Sequence, residues 1–349
     1  WNEWRKGVKS INPDVYLLAE ASSSDTTFYQ KRFDSAYDWD LRNLLISVLN
    51  GSNTLGNVHK QVMRSYSTFA RPFRFVENHD ETRAISMFDI QRSLLMHTIV
   101  FTLNGIPLIY SGGEVGESTQ RNMINWNDPN KVQPYFARLV KIRKEYIYNP
   151  IVNRIANSDT AAVYSYSSIS GNKTLLTVAN FKNTSPTVIL DVTTMPYDGK
   201  SVYYLTDLFS GTVYTIQPAE RKAYSVALTN YQARVFYYGL TPVSVSVLDE
   251  NRATVPKDMV LDQNFPNPFN PSTTLRYGLP GNSRVKLQIY NVLGQVVAEL
   301  VNGEQAAGWH REVWNANVST GVYFYRIEAV DVNNPNSRFV QVKKMLLLR

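Results

Sequence analysis

The sequence predicts an α/β segment followed by all-β segments. Helical and strand-like runs alternate up to about residue 149, whereas from residue 150 onward the helical period disappears and short β-rich runs stand between Gly, Pro and Asn. The chain has 349 residues, of which 44% are hydrophobic and 19% charged, and this suits two or three domains with apolar cores.

Four strand-then-helix units are predicted in residues 1–149. The first helix has apolar residues at helical spacing and ends at Asn12-Pro13. Apolar runs between breakers predict strands at 15–19, 32–37, 73–77 and 105–110, and periodic runs predict helices at 39–49, 90–103 and 132–146. This alternation predicts parallel strands joined by right-handed crossovers.

The segment from residue 150 to residue 240 is predicted to be an antiparallel β-sandwich. Its β-rich runs include 161–166, 174–180 and 233–238. Short strands separated by turn residues in this way are typical of two packed sheets.

The last part of the chain predicts a linker and a further β-domain. Residues 241–258 are rich in Val, Ser, Thr and Pro and lack a core pattern, so they are predicted to be a linker. Alternating hydrophobicity at 285–290 and 322–327 predicts a small sandwich over residues 259–349.

The composition excludes several kinds of site. Without Cys, the chain has no disulfide, thiol nucleophile or Cys-based zinc site. No run reaches the roughly 20 apolar residues that span a bilayer, so no transmembrane segment is predicted. The net charge of +7 is spread thinly, and no nucleic-acid partner is predicted. Because residue 1 is Trp and not an initiator Met, we expect the sequence to be part of a longer chain.

Acidic residues follow three of the predicted strands. Glu20, Asp80 and Glu114 lie where strands end, and in parallel α/β folds that edge carries active sites. Sugar hydrolysis needs one carboxylic acid to protonate the leaving oxygen, with other carboxylates stabilising positive charge. An acid at a strand end is often only a helix cap or an ion-pair partner, and this alternative stays open.

The residues around Asp80 add further functional groups. Asn78 and His79 precede it, and Glu81 and Arg83 follow. A histidine alone is more often a hydrogen-bonded loop residue than a ligand. Two carboxylates, an imidazole and a guanidinium in so short a stretch indicate a functional loop.

These motifs resemble the α-amylase family, glycoside hydrolase family 13. The stretch leading into Glu20, INPDVYLLAE (residues 11–20), resembles the approach to the family's fifth barrel strand. FVENHD (75–80) is similar to the motif that ends strand seven, and GIPLIYSGGE (105–114) to the region of strand eight. The resemblance covers about 150 residues and implies the C-terminal half of a (β/α)8 TIM barrel. It departs at Gly112-Gly113, where the family often has an acid or Gln after the first Gly.

The resemblance also implies roles for individual residues. Glu20 would be the general acid/base and Asp80 the stabiliser of the transition state. His79 would bond sugar hydroxyls, with Asn78 supporting its loop. The expected substrate-binding residues are His79, Asn78, Arg83 and Glu114.

The family's nucleophilic Asp follows strand four, upstream of the residue that matches Trp1. Strands one to four and this nucleophile are therefore expected to lie outside the sequence, and the fragment alone is expected to be inactive. No cofactor or metal site is predicted within these residues. If the enzyme uses calcium, the ion is expected to bind through the missing part of the chain.

The end of the chain resembles a second family, the type IX secretion C-terminal sorting domain. The resemblance rests on four motifs, NFPNPFNPSTT (264–274), VKLQIYNVLGQ (285–295), TGVYFYR (320–326) and KKMLLLR (343–349). It implies a small Ig-like sandwich, type IX secretion machinery as partner, and a secreted or cell-surface location. The alternative is a plain accessory β-sandwich, which could bind sugar.

Together the two resemblances imply a secreted hydrolase of α-glucans such as starch or maltodextrin, acting by retaining double displacement. One alternative is a transglycosylase or isomerase of the same fold. Another is a non-catalytic surface protein that binds glucan through a degenerate barrel.

Overall fold

The computed structural model describes residues 1–25, 32–64, 71–121, 123–126, 128–245, 256, 258–334 and 337–348. The chain forms two compact units, Trp1–Val247 and Leu248–Arg349. The predicted linker over 241–258 falls largely outside the described residues. Within the described ranges, no helix is long and apolar enough to cross a membrane.

The first unit begins with a parallel sheet of four short strands in sequence order, each bonded to the next. The strands are β1 (Leu18–Ser22), β2 (Ser35–Tyr37), β3 (Arg71–Arg74) and β4 (Ile106–Pro107). The helices are α1 (Asn2–Ile11), α2 (Trp39–Leu49), α3 (Leu55–Val62), α4 (Ala84–Met87), α5 (Ile90–Thr102) and α6 (Gln133–Tyr146). Parallel strands with intervening helices confirm the α/β prediction for this part.

Side chains at the helix ends explain where α2 and α5 begin. Asp38 precedes α2, and its carboxylate accepts a hydrogen bond of 3.2 Å from the amide of Leu41. Asp89 caps α5 in the same way, with a bond of 2.8 Å from the amide of Arg92. Beyond these caps, both helices bury aliphatic side chains in one core.

The first strand lies further along the chain than predicted. β1 spans 18–22 instead of 15–19, because the amide of Leu17 is bonded to the carboxylate of Asp34 at 2.9 Å before the ladder begins. Glu20 therefore lies in the middle of the strand and not after its end, which corrects the prediction.

The predicted strands at 73–77 and 105–110 also differ from the observed ones. β3 begins at Arg71 and includes Arg74, whose fully buried guanidinium forms an ion pair with Asp38. β4 keeps only two residues, and the second is Pro107, which has no backbone N–H for the ladder. The ion pair of Arg74 and the missing N–H of Pro107 thus affect where these strands begin and end, and the hydrophobicity of the sequence does not reveal either.

The first unit ends in an antiparallel sandwich of a six-stranded and a three-stranded sheet, as predicted. The larger sheet has the order β11-β10-β13-β8-β7-β5 and the smaller β12-β9-β6. Their strands are β5 (Ile151–Arg154), β6 (Ala156–Asn157), β7 (Val163–Ser170), β8 (Lys173–Asn180), β9 (Thr187–Asp191), β10 (Tyr203–Asp207), β11 (Val213–Ile216), β12 (Tyr224–Ala227) and β13 (Ala233–Gly239). Aliphatic and aromatic side chains of both sheets form a common core.

The second unit is also built from two antiparallel sheets, β14-β15-β18 and β17-β16-β19-β20. Its strands are β14 (Val260–Leu261), β15 (Ser272–Leu279), β16 (Ser283–Tyr290), β17 (Val296–Gln305), β18 (Gly308–Asn315), β19 (Gly321–Asp331) and β20 (Arg338–Leu347). In β16 every second residue is buried, as two sheets packed face to face require. The alternating runs predicted at 285–290 and 322–327 lie within β16 and β19.

Candidate functional site

Glu20, His79 and Asp80 form a cluster, which we call the acid–histidine cluster. Glu20 projects from β1, and the other two residues lie in the loop that follows β3. The His79 Nε2 lies 3.2 Å from Asp80 Oδ2 and 3.8 Å from Glu20 Oε1. The side chains are 51%, 50% and 66% exposed for His79, Asp80 and Glu20, so all three can meet a ligand from solvent.

The loop is shaped by Asn78. This side chain is almost fully buried, and its Oδ1 accepts hydrogen bonds of 3.1 Å from the amides of both Asp80 and Glu81. Such side-chain acceptors fix tight turns. Asn78 was predicted among the substrate-binding residues, but its burial removes it from solvent. Its observed contacts are those of a loop support.

Glu77 and Arg83 hold the same loop from the protein interior, with 3% and 2% of their surface exposed. Arg83 Nη1 donates to Glu77 Oε1 at 3.0 Å, and the amide of Ala84 donates to Glu77 Oε2 at 2.7 Å. A buried carboxylate whose two oxygens are both bonded is held firmly in place. Sequence reasoning did not single out Glu77 as a functional residue.

Arg83 also reaches the loop after β4. Its Nε donates to the carbonyl of Thr119 at 3.0 Å, its Nη2 donates to that of Ser111 at 2.8 Å, and its guanidinium lies 3.9 Å from the ring centre of Tyr110. Each of its three nitrogens thus has a partner inside the protein, and Arg83 joins two loops. That Arg83 binds substrate stays a prediction.

Two glycines allow this close packing. Gly112 has φ +92°, in the region that favours glycine. At Gly113, an added Cβ would lie 2.8 Å from Glu77 Oε1. The Gly-Gly pair, at which the sequence departs from the α-amylase pattern, thus makes room for the buried carboxylate.

Arg121 and Gln120 contact the acid–histidine cluster from the loop after β4. Arg121 Nη2 lies 2.6 Å from Asp80 Oδ1, and its Nε donates to the carbonyl of His79 at 3.0 Å. Gln120 Nε2 donates to the same carbonyl at 3.2 Å. Sequence reasoning missed both residues, because they lie about 40 positions away in a stretch without periodicity.

Glu114 is not part of this cluster. It lies in a single helical turn, Gly113–Val115, and its Oε2 accepts a bond of 2.9 Å from the amide of Gly112. This contact is a local cap, so the structure does not bring Glu114 to the other predicted site residues. The capping alternative left open in the sequence analysis describes it.

Aromatic side chains lie beside the carboxylates. Tyr37, at the end of β2, packs edge-on against Phe75 at 5.0 Å and stacks with Trp39 at 5.9 Å. Burial raises the pKa of the Tyr37 hydroxyl, and the charges of Glu20 and Asp80 raise it further. Tyr37 therefore stays a neutral hydroxyl next to both acids.

The acid–histidine cluster could also hold a metal ion. The ligand atoms of its three residues lie within 4.8 Å of one another, and one imidazole with two carboxylates is a common donor set for transition metals. The same groups serve acid–base chemistry without an ion, so the donor set alone does not choose between the two.

Sequence comparison finds two families in the chain. Residues 1–152 match the family described as "Alpha amylase, catalytic domain", and residues 263–342 match "Secretion system C-terminal sorting domain". Alpha-amylase 3 of Dictyoglomus thermophilum is 29% identical over 153 residues, which are 39% of this chain and 31% of the relative. Cyclomaltodextrinase of Geobacillus thermopakistaniensis is 24% identical over 251 residues, 66% of this chain and 41% of the relative.

A third relative is the cyclomaltodextrin glucanotransferase of Bacillus sp. (strain 1-1), 21% identical over 212 residues, 56% of this chain and 28% of the relative. The chain thus spans between about a quarter and two-fifths of the curated relatives it matches.

Solved structures share the fold. The maltogenic alpha-amylase AmyB from Thermotoga neapolitana has a TM-score of 0.59 and 21% identity, with 69% of this chain and 58% of that chain covered. The alpha-amylase from Geobacillus thermoleovorans complexed with acarbose has a TM-score of 0.58 and 19% identity, with 68% and 56% covered.

Proposed function

We propose that the chain is the C-terminal part of an exported enzyme that hydrolyses α-glucans. Two matches support this proposal, that of residues 1–152 to the α-amylase catalytic domain and that of residues 263–342 to the sorting domain. The observation that carries the proposal is the acid–histidine cluster, in which two carboxylates and an imidazole from separate elements meet in solvent. The curated relatives, which include an alpha-amylase and a cyclomaltodextrinase, support the substrate class.

In this proposal the barrel half comprises residues 1–149 and strands five to eight of a (β/α)8 barrel. A β-domain over 150–240, a linker over 241–258 and a sorting domain over 259–349 follow. The parallel order of β1 to β4 supports the barrel assignment, and the two antiparallel units support the rest.

The proposed chemistry assigns one role to each residue of the cluster. Glu20 protonates the glycosidic oxygen as the bond breaks and later removes a proton from the attacking water. Asp80 stabilises the positive charge that develops at the anomeric carbon. His79 donates a hydrogen bond to a sugar hydroxyl. The hydroxyl of Tyr37 stays uncharged near Glu20 and Asp80. Arg121, whose Nη2 lies 2.6 Å from Asp80 Oδ1, holds the Asp80 carboxylate in place.

Double displacement also needs a nucleophilic carboxylate about 5 to 5.5 Å from the acid. We assign this role to an Asp outside the 349 residues, because Asp80 is assigned to charge stabilisation. The 349-residue chain alone is then proposed to bind glucan without turnover.

The experiment is to express the gene product with its preceding sequence and to measure reducing sugar released from starch, maltodextrin, cyclodextrin and pullulan. Release that disappears in Glu20→Gln supports hydrolysis. Absence of release from all four substrates by the folded protein contradicts it.

Transglycosylation is the second candidate, because the relatives include a glucanotransferase. Chromatography of the products decides between the two, since transfer yields oligosaccharides longer than the substrate. A purely glucan-binding role is the third reading, and it requires that the complete protein produce no new saccharide at all.

A further inference from the structure

A groove in the first unit is walled by the β-sandwich and, at one end, by residues of α5 and α6, and none of the residues of the acid–histidine cluster lines it. It consists of three adjoining depressions of about 360, 280 and 470 Å³. The first and second share Arg234 in their walls, and the second and third share Tyr214, Tyr224 and Ser225. We call it the sandwich groove. Contiguous depressions fit an extended ligand better than a compact one.

The sandwich groove lies where the two sheets are open to solvent. Tyr214 belongs to β11, the outer strand of the six-stranded sheet, and Tyr224 belongs to β12, the outer strand of the three-stranded sheet. Both rings line the second and third depressions. The opening between the sheets therefore has an aromatic residue from each of them.

Two of the three charged residues that line the groove, Arg234 and Asp207, form an ion pair, and the third, Glu220, caps its own turn. Arg234 Nε donates to Asp207 Oδ2 at 2.9 Å, and its Nη2 donates to the hydroxyl of Tyr214 at 2.8 Å. The carboxylate of Glu220 accepts a bond of 2.7 Å from the amide of Gln217. Because its guanidinium is paired and one carboxylate remains, the groove does not favour an anion, and its phenol and amide groups suit a neutral ligand that carries hydroxyls.

The first depression adds two further tyrosines, Tyr135 and Tyr231, and several amides. Tyr231 has φ +49°, a conformation that is uncommon for a bulky residue, and its amide donates to the carbonyl of Lys182 at 3.1 Å. Exposed Asn230 and Gln91 line the same depression. The turn thus keeps an aromatic ring in the wall of the depression at the expense of backbone strain.

We propose that the sandwich groove binds a linear α-glucan chain, as a second site separate from the acid–histidine cluster. Pyranose rings have apolar C–H faces and a rim of hydroxyls, so tyrosine rings can pack on the faces while phenol and amide groups bond the hydroxyls. A neutral, extended, polyhydroxylated ligand fits all three depressions. The choice of α-glucan rests on the proposed function.

The experiment titrates the 349-residue chain with maltoheptaose by isothermal calorimetry. Tyr214→Ala and Tyr224→Ala are each expected to weaken binding at least about tenfold, since each removes a ring from the groove. Tyr214→Phe keeps the ring and is expected to retain most of the affinity. The matched control is Tyr148→Ala, a tyrosine that is 79% exposed and outside the groove.

Three results would overturn the proposal. One is unchanged maltoheptaose affinity in both alanine variants, with folding confirmed by thermal melting. The second is equal affinity for cellohexaose, which would remove the α-glucan assignment. The third is loss of binding in Glu20→Gln/Asp80→Asn, which would place the ligand at the cluster. None of these titrations requires turnover, so they test the groove and not the proposed hydrolysis. The proposed function is contradicted by a different result, the absence of hydrolysis by the longer protein.

Discussion

The carboxylate of Glu77 lies 3.0 Å from the guanidinium of Arg83, and both side chains are almost fully buried beneath the loop that carries His79 and Asp80. Little of the pair is exposed to solvent, yet its donors and acceptors reach two loops of the candidate site. The position of the exposed groups therefore depends on an ion pair inside the protein.

Replacing Arg83 by Leu leaves Glu77 as an unpaired buried carboxylate. We expect the free energy of unfolding of the first unit to fall by about 3–5 kcal/mol, measured by urea denaturation. The double variant Glu77→Gln/Arg83→Met removes both charges and is expected to recover part of the loss. Lys6→Ala, which breaks the exposed pair with Glu3, serves as control and should leave the midpoint unchanged. A midpoint for Arg83→Leu equal to that of the parent would contradict the structural role.

Gly113→Ala tests the close approach of Glu77. The new Cβ would lie 2.8 Å from Glu77 Oε1, so the loop must shift, and we expect a loss of about 1–3 kcal/mol in stability. Gly7→Ala is the matched control, because no atom lies within 4 Å of its added Cβ and the residue is inside α1. That substitution should be neutral or slightly stabilising. Equal melting temperatures for the two variants would be the opposite result.

Glu20→Gln in the longer enzyme removes the proton donor while keeping its shape. We expect kcat to fall about 10³-fold, because both chemical steps use this group. Asp80→Asn should lower kcat comparably, with glucan binding still measurable by calorimetry. Glu114→Gln is the control, since Glu114 caps a single turn and should change kcat little. The role of Glu20 would be wrong if activity stayed within tenfold of the parent.

Arg121→Ala breaks an exposed ion pair with Asp80 and a bond to the carbonyl of His79. We expect kcat/KM of the longer enzyme to drop by up to about tenfold without a change in Tm, because exposed pairs stabilise folding little. At about 0.5 M NaCl the parent should approach the variant, since salt screens the pair. A Tm lowered by several degrees would instead assign Arg121 a structural role.

Deletion of residues 259–349 tests the sorting assignment in a host with the type IX pathway. Activity in cell extract should persist, whereas activity at the cell surface and in the medium should be lost. Glu114→Gln, which keeps residues 259–349 and is expected to change kcat little, is the control for expression and export. Secretion of the shortened protein would refute the assignment.

The sequence predicted helices better than strands. The helical period placed α2, α5 and α6 within about one residue of their observed limits. The short parallel strands shifted because side-chain contacts, such as those of Asp34 and Arg74, decide where their ladders begin. Helix α3 was missed, although its buried residues stand at helical spacing.

The candidate site could be predicted only in part. The motifs located His79 and Asp80, and with Glu20 they form the cluster. Nothing in the neighbouring sequence distinguishes Arg83, which is bonded inside the protein, from an arginine that is exposed at the candidate site. The contacts of Arg121 span 41 residues or more, so they exist only once the loops are folded together.

Strand β1, which carries Glu20, is an outer strand of its sheet and within the described residues pairs only with β2. An outer strand accepts a further strand through its unpaired backbone groups. If the enzyme were expressed as two polypeptides divided just before Trp1, Glu20 and the proposed nucleophile would lie on different polypeptides. Strand β1 would then lie at the interface between the two. Turnover would then report the association of the two polypeptides, as it does in a split-enzyme complementation assay.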